Sequence, residues 1–173
     1  QADRALGIIR NFSDYAKRQS SKVFDKQQLD LREVLENIIP FVRSELTLDS
    51  IRLNVNVSQG ILIYADQHSL EEIFLNLIVN ACQALKETLE GGEINITAKE
   101  ESPWVVIEVG DTGPGLAPDH LERIFEPFYT TKAAGTGLGL YVVKQLVEKH
   151  CGRVEVHSTV GCGTAFTLAF PAF

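Results

Sequence analysis

Two clusters of glycine constrain the fold of this chain more tightly than any other feature of its sequence. They are Gly113 and Gly115, which follow Asp111, and Gly135, Gly137 and Gly139. Glycine permits turns and close approaches that a Cβ atom excludes, so each cluster predicts a sharp turn. The segment from 111 to 135 also contains three prolines. We therefore predict mostly loop here, with a short helix over 118–126, acting as a hinged lid that Phe125 and Phe128 pin in place.

Regular helix and strand patterns flank this loop. Helical spacing of apolar residues is found in 1–18, 31–46, 69–90 and 139–150, and strand patterns in 51–57, 61–65, 93–100, 104–110, 153–158 and 164–170. Asp30 and Ser69 are the expected N-caps of the second and third helices. We expect 51–57 and 61–65 to pair as a hairpin, and 19–30 to be a linker. This mixture of helices and hairpin-like strands predicts an α+β fold, a two-layer α/β sandwich rather than a doubly wound sheet.

The composition excludes several classes of protein. A length of 173 residues fits one ordinary domain with a short appendage, and the net charge of −7 argues against a nucleic-acid partner. The three cysteines form no CxxC pair, which argues against a zinc site and favours a reducing, cytoplasmic location. No apolar run approaches the roughly 18 residues of a membrane span, so no direct membrane contact is expected. Because the chain starts at Gln1 and has no Met, we expect a piece of a longer protein, whose parent could be membrane-anchored.

The predicted helix 69–90 carries two stripes of different character. An apolar stripe is expected to be buried, and a polar stripe includes Glu72, Asn76, Asn80, Gln83 and Glu87. One interpretation is a solvated helix face. Asn is a poor helix former, however, and a solvated face is more easily built from Lys or Glu. The alternative is that the amide oxygens line a site, since one protein amide together with phosphate oxygens and water suffices to hold Mg²⁺.

The two glycine clusters could each contact part of a ligand. Asp111 follows a predicted strand, where its carboxylate could accept a hydrogen bond from a ligand amino group, although "DTGPG" alone also fits an ordinary turn. Gly135, Gly137 and Gly139 lead into a helix whose backbone N–H groups would favour an anion. The cluster is not a P-loop, since no Gly-Lys-Ser/Thr follows, and it lacks the preceding strand of a dinucleotide-binding fingerprint.

In combination, the motifs resemble a known family. "NLIVNACQAL", "DTGPGL", "FEPFYTTK" and "GTGLGLYVVKQLVEKHCG" are similar to the N, G1, F and G2 boxes of the histidine-kinase catalytic domain, a member of the GHKL superfamily. "GCGTAFTLAFP" is similar to its closing strand, and the branch that includes nitrogen-regulation sensor kinases is the most similar. The resemblance implies a Bergerat fold with a mixed sheet on three helices over 23–173. It also implies that 1–22 holds one helix of a dimerisation hairpin plus a linker.

The resemblance also implies roles for individual residues. Asp111 would recognise the adenine amino group of ATP, Gly113 and Gly115 would shape its pocket, and Thr164 would hold Asp111 and a water. Asn80 would bind Mg²⁺ with Asn76 in support. The triphosphate would lie against the segment made up of Gly135, Thr136, Gly137, Leu138 and Gly139. Lys132 would contact a phosphate and supply the charge that many members of the family carry where this chain has Gln83.

The residue at position 76 distinguishes histidine kinases from the related ATPases of this superfamily. Related ATPases place a Glu there to activate water, and an amide cannot act as that base. The resemblance therefore implies a protein histidine kinase that transfers the γ-phosphate of ATP to a histidine, for relay to an aspartate of a response regulator, in a parent that is a homodimer. The phosphoacceptor helix is expected to precede residue 1, and none of the four histidines fits its role, so the chain itself should not autophosphorylate. The alternatives are a GHKL-type ATPase, a serine kinase and a degenerate partner-binding domain.

Overall fold

The computed structural model describes residues 24–48, 50–86, 88, 91–132 and 135–172. The helix predicted over 1–18 and the domain boundary at 22/23 lie outside these residues and remain predictions. The elements, in chain order, are β1 (Lys26–Asp30), α1 (Leu31–Leu48), β2 (Ile51–Asn56), β3 (Leu62–Asp66), α2 (Gln67–Leu85), β4 (Gly92–Glu101), β5 (Trp104–Asp111), α3 (Pro118–Leu121), α4 (Gly139–Lys149), β6 (Arg153–Thr159) and β7 (Gly163–Pro171). No helix in the described part of the chain is both long and apolar enough to cross a membrane.

The centre of the fold is a five-stranded mixed sheet. Its order is β2-β4-β5-β7-β6, and only the β2–β4 pair is parallel. Alternate residues on the central strands are fully buried and join one core with α1, α2 and α4; on the sheet side this core includes Ile94, Ile96, Val105, Ile107, Val109, Phe166, Leu168 and Phe170. The period-2 pattern thus gives each strand one core face. The predicted two-layer α/β sandwich, with a mixed sheet packed on three helices, is confirmed.

A second, two-stranded sheet was not predicted. β1 pairs antiparallel with β3, and β2 pairs instead with β4. The predicted hairpin of 51–57 with 61–65 is therefore wrong, and so is the linker as far as 26–30 is concerned. Ile63 and Ala65 are fully buried, so the apolar side of β3 joins the core while β1 covers its edge. The strand patterns of β2 and β3 were visible in the sequence, but long-range packing selected their partners.

The helix ends differ in detail from the sequence prediction. Asp30 caps α1 as predicted, since its Oδ1 accepts a hydrogen bond from the backbone N–H of Arg32 at 2.9 Å. Helix α2 begins earlier than expected because Asp66, and not Ser69, is its N-cap: Asp66 Oδ1 accepts from both the N–H and the hydroxyl of Ser69. Helices α2 and α3 end at Leu85 and Leu121, short of the predicted ends at 90 and 126.

His150 joins the end of α4 to the start of α2. Its Nδ1 lies 2.7 Å from the carbonyl oxygen of Leu146, so Nδ1 carries the proton, and its Nε2 accepts a hydrogen bond from the Asp66 N–H at 3.0 Å. This arrangement requires the neutral ring, which is 2% exposed. Burial is the main cause that lowers the pKa of His150. In this structure His150 therefore bridges the two helices.

We predict that the stability of the fold depends on His150 in mildly acidic solution. Because the pKa of the folded state lies below that of the unfolded state, its contribution is complete above an unfolded-state pKa of about 6.5 and is lost as the pH falls. Urea unfolding of wild type and His150→Gln at several pH values between 7.5 and 5.5 measures the contribution of His150 to the free energy of unfolding. The variant should lose about 1 kcal/mol at pH 7.5 and show a flatter pH dependence.

His157→Gln is the matched control, because His157 is exposed on β6. It should keep the wild-type pH dependence. Parallel wild-type and His150→Gln curves would contradict the prediction.

Candidate functional site

One face of helix α2 lies against the start of α4. Asn76 is 8% exposed, and its Nδ2 donates to the Glu72 carbonyl at 3.0 Å. Its Oδ1 faces Gly139, where an added Cβ would lie 3.2 Å away. Glycine at this position therefore lets the N-terminus of α4 approach the amide closely. The solvated-face interpretation of this stripe fails at Asn76, which is buried, while Asn80 and Gln83 are half-buried.

The next turn of α2 meets the lid through Lys132. Its Nζ donates to Asn80 Oδ1 at 3.1 Å, to the Asn80 carbonyl at 3.2 Å and to Gln83 Oε1 at 3.2 Å. The structure thus brings Lys132 of the lid to two of the five polar residues that the sequence singled out on this helix, Asn80 and Gln83. Because Gln83 is neutral, its side-chain oxygen can accept a hydrogen bond from the Lys132 ammonium group. A basic residue at position 83 would repel that group.

The donor set fits a hard cation only in combination with a ligand. Asn80 Oδ1 is a suitable oxygen for Mg²⁺. The described residues contain no group of three or more His, Cys, Asp or Glu that could hold a metal ion. A magnesium ion here would consequently take its other oxygens from phosphate and water, and it would compete with Lys132 for Asn80 Oδ1.

Asp111 is held rigidly at the end of β5. Its Oδ1 accepts a hydrogen bond from the Gly113 N–H at 2.8 Å, and the Thr164 N–H also bonds to the carboxylate. Thr164 is directly opposite Asp111 in the β5–β7 pairing. Burial raises the pKa of Asp111 above its usual value, while these two hydrogen bonds and the charge of Lys132 oppose the rise. The carboxylate is therefore oriented by backbone donors and half-buried.

The first glycine cluster packs the loop after Asp111 between two elements. A Cβ at Gly113 would lie 2.7 Å from Asp111 Oδ1 and 3.3 Å from the Ala84 Cβ of helix α2. Gly115 has φ +71°, and a Cβ there would overlap the carbonyl oxygen of Thr159 at the end of β6. Both close approaches require glycine, so "DTGPG" is not an ordinary exposed turn.

The second cluster contacts the lid itself. Gly137 has φ +65°, and a Cβ there would overlap the backbone of Phe128, whose N–H donates to the Gly137 carbonyl at 2.9 Å. Gly135 donates its N–H to the Lys132 carbonyl at 3.0 Å. The side chains of Thr136 and Leu138, in the same segment, are exposed to solvent.

One predicted lid contact is wrong. Phe125 packs edge-to-face on Phe166 at a centroid distance of 6.3 Å and does pin the lid to the core. Phe128 does not, because it is 74% exposed and has φ +66°. Within the lid, the side chains of His120 and Tyr129 are hydrogen-bonded to each other, and Arg123 lies 4.4 Å from the centroid of the Tyr129 ring.

Sequence reasoning missed Ser158 and Gly163. Ser158 Oγ bonds to the Leu116 N–H, the Gly163 carbonyl and Thr164 Oγ1. Gly163 has φ +116°, and a Cβ there would overlap the Asp111 carbonyl oxygen. A serine in an alternating strand carries no signal of its own. Gly163 could have been found as the glycine that precedes Thr164 at the start of β7.

Two curated proteins to which this chain is similar are a sensor histidine kinase and a sporulation kinase. Sensor histidine kinase ZraS of Escherichia coli (strain K12) is 40% identical over 172 residues, covering 99% of this chain and 36% of that protein. Sporulation kinase B of Bacillus subtilis (strain 168) is 31% identical over 172 residues, covering 99% of this chain and 39% of that protein. The chain therefore spans little more than a third of the length of these relatives.

Solved structures show the same fold. The nucleotide-free catalytic domain of histidine kinase ThkA has a TM-score of 0.76 at 26% identity, covering 85% of this chain and 95% of that one. Full-length ShkA in complex with AMPPNP has a TM-score of 0.76 at 30% identity, covering 88% of this chain and 32% of that one.

The family comparison gives the same answer as the motifs. Residues 65–173 match the family described as "Histidine kinase-, DNA gyrase B-, and HSP90-like ATPase". Because this match spans more than half of the chain, we conclude that the protein belongs to the family of histidine kinase-, DNA gyrase B- and HSP90-like ATPases, as the order of its motifs predicted.

Proposed function

We propose that this chain is the ATP-binding catalytic domain of a sensor histidine kinase. In this proposal the γ-phosphate of ATP goes to a histidine on a phosphoacceptor helix that precedes the described residues, and then to an aspartate of a response regulator. The parent protein would be a homodimer through a hairpin whose second helix lies in 1–22, followed by a catalytic domain over 23–173. Its location would be cytoplasmic.

The observation that carries the proposal is the arrangement of three motifs along helix α2. Gly113 of the loop after Asp111 faces Ala84, Lys132 of the lid bonds to Asn80 and Gln83, and Gly139 at the start of α4 faces Asn76. Positions 76 and 84 are about 12 Å apart along a helix axis. The acid and the cation therefore lie at successive places along one wall, as recognition of a base and of its phosphates requires.

Each residue then has a separate task. Asp111 accepts a hydrogen bond from the adenine amino group, and Thr164 supports it. The backbone of 135–139 and Lys132 receive the phosphates, because N–H groups before a helix and an ammonium group both favour anions. Asn80 would hold Mg²⁺, which when bound supplies further neutralisation of phosphate charge. Phosphoryl transfer needs little beyond such positioning and neutralisation.

Asn76 supports transfer to a protein nucleophile over hydrolysis. Its amide is buried and donates to the Glu72 carbonyl, and it has no proton-accepting group that could activate water. A GHKL-type ATPase would need that group, so this alternative is disfavoured. The serine kinase has no specific observation in its favour. A degenerate partner-binding domain is disfavoured by the ordered contacts of Asp111 and Asn80.

The relatives support the same proposal. The curated relatives named above are a sensor histidine kinase and a sporulation kinase, and full-length ShkA was solved with AMPPNP. None of the four histidines in this chain is positioned as a phosphoacceptor in the proposal: His150 is buried and bonded on both ring nitrogens, His68 starts α2, His120 lies in the lid and His157 on β6. The chain alone is accordingly expected to bind ATP without phosphorylating itself.

Calorimetric titration with ATP and with ADP, each with and without Mg²⁺, tests the nucleotide site. Wild type should bind both, and Mg²⁺ should change the affinity for ATP. Asp111→Asn should weaken binding roughly 10- to 100-fold, since a hydrogen bond to a charged group contributes about 1.5–3 kcal/mol. Glu108→Gln, an exposed acid on the same strand, should bind like wild type. If wild type did not bind millimolar nucleotide, the partner-binding alternative would replace the proposal.

A charge exchange between Lys132 and Gln83 tests the phosphate end. Lys132→Gln should weaken ATP binding roughly tenfold. It should leave AMP binding unchanged, because AMP lacks the β- and γ-phosphates that Lys132 is proposed to contact. Adding Gln83→Lys should restore ATP affinity, since the two side chains are within 3.2 Å and the ammonium group would return to the same place. Lys99→Gln, exposed on β4, is the control. Equal losses for AMP and ATP in Lys132→Gln would show that Lys132 acts on the lid fold and not on phosphate.

A further inference from the structure

The hydroxyl of Ser158 takes part in three hydrogen bonds next to Asp111. It accepts from the Leu116 N–H at 2.8 Å, it lies 2.8 Å from the Gly163 carbonyl oxygen, and it lies 2.9 Å from Thr164 Oγ1. A serine hydroxyl has one proton and two acceptor sites. All three bonds therefore use its full capacity, and no hydrogen-bonding capacity of this oxygen remains for solvent or ligand.

Only one assignment of protons satisfies all three bonds. The Gly163 carbonyl can only accept, so the Ser158 proton must lie on that bond. The Leu116 N–H takes one acceptor site of the Ser158 oxygen. The remaining bond then requires that Thr164 donates its hydroxyl proton to Ser158. With its proton committed there, the Thr164 oxygen can only accept hydrogen bonds on its other side.

The Thr164 hydroxyl, whose proton points to Ser158, belongs to the residue paired with Asp111 across the sheet. Thr164 and Asp111 are direct cross-strand partners, so their side chains lie on the same face of the sheet. Thr164 is 8% exposed and Asp111 is half-buried. This edge of the candidate site therefore carries two acceptors, the Asp111 carboxylate and the Thr164 hydroxyl oxygen, and the Thr164 hydroxyl has no free donor to match a ligand carbonyl.

We propose that Ser158 is a positioning residue that fixes Thr164 as a hydrogen-bond acceptor, and that it thereby makes the site select a purine with an amino group at position 6 over one with a carbonyl there. The inference rests on the proposed function, because it assumes that the base lies at Asp111. An amino group at position 6 donates to both acceptors, whereas a carbonyl oxygen in the same place would meet acceptors alone. Leaving such groups unpaired weakens binding more than a mere loss of contact does.

Titration of the chain with ATP and with inosine triphosphate tests the proposal. The two nucleotides differ at position 6, where one has an amino group and the other a carbonyl. Wild type should bind ATP more tightly. Ser158→Ala frees the Thr164 proton to donate to the carbonyl, so the ratio of the two dissociation constants should fall roughly three- to tenfold. Ser158→Thr retains a hydroxyl and should restore the wild-type ratio.

Two further variants distinguish an effect of the hydrogen-bond direction at Thr164 from a general loosening of the packing around it. Thr159→Ala deletes the neighbouring hydroxyl, which is exposed on the same strand, and should leave the ratio unchanged. Thr164→Val removes the acceptor while keeping the side-chain shape, so it should lower the ratio in the same direction and serves if Ser158→Ala does not fold.

The outcomes distinguish this inference from the function on which it rests. If Ser158→Ala weakened ATP and inosine triphosphate by the same factor, Ser158 would be a structural brace only and the inference would be overturned while nucleotide binding stood. If wild type bound neither nucleotide, or bound both independently of Asp111, the proposed function itself would fail.

Discussion

The burial of helix α2 between the sheet and its neighbouring helices is the constraint on which the rest of the structure depends. Leu70, Ile73, Phe74, Leu77 and Leu85 are at most 1% exposed and pack into the hydrophobic core. Burying each such side chain contributes about 1.5–3 kcal/mol, so the rotation of the helix about its axis is strongly fixed. That rotation decides where Asn76, Asn80 and Gln83 face. The position of the polar face that we propose as the nucleotide site is thus a consequence of the apolar stripe on the opposite side.

Two loops complete the candidate site by packing on this face of α2 and on the sheet edge. The loop after Asp111 is held by Ala84 on one side and by the β6–β7 end on the other, where Gly161 donates its N–H to the Pro114 carbonyl at 2.7 Å. The lid is held by Phe125 in the core and by Lys132 on α2. Phe125 makes its contact in the core. Near the candidate site, the loop after Asp111 is held by backbone contacts and the lid is held by the Lys132 ammonium group.

Sequence reasoning succeeded where a residue's local chemistry decides its position. The patterns of β4, β5, β7 and α2 gave the type of each element, and the stripe of α2 also gave its buried side, because periodicity follows from backbone geometry alone. It failed for the pairing of β3, for the cap of α2 at Asp66 and for the exposure of Phe128. Strand partners and side-chain exposure depend on residues far apart in the chain, and no local pattern encodes them.

The sequence by itself determined the fold class, the family and the residue types available for a nucleotide site, because ordered motifs and periodicity are local properties of the chain. Only the tertiary structure decided that Lys132 lies on Asn80 and Gln83, that Ser158 bonds to Thr164, and that Gly115 faces the Thr159 carbonyl. Each of these pairs except the Ser158–Thr164 bond joins residues more than forty positions apart. Even that bond requires the register of β6 against β7, which the hydrogen-bonded sheet fixes and composition does not.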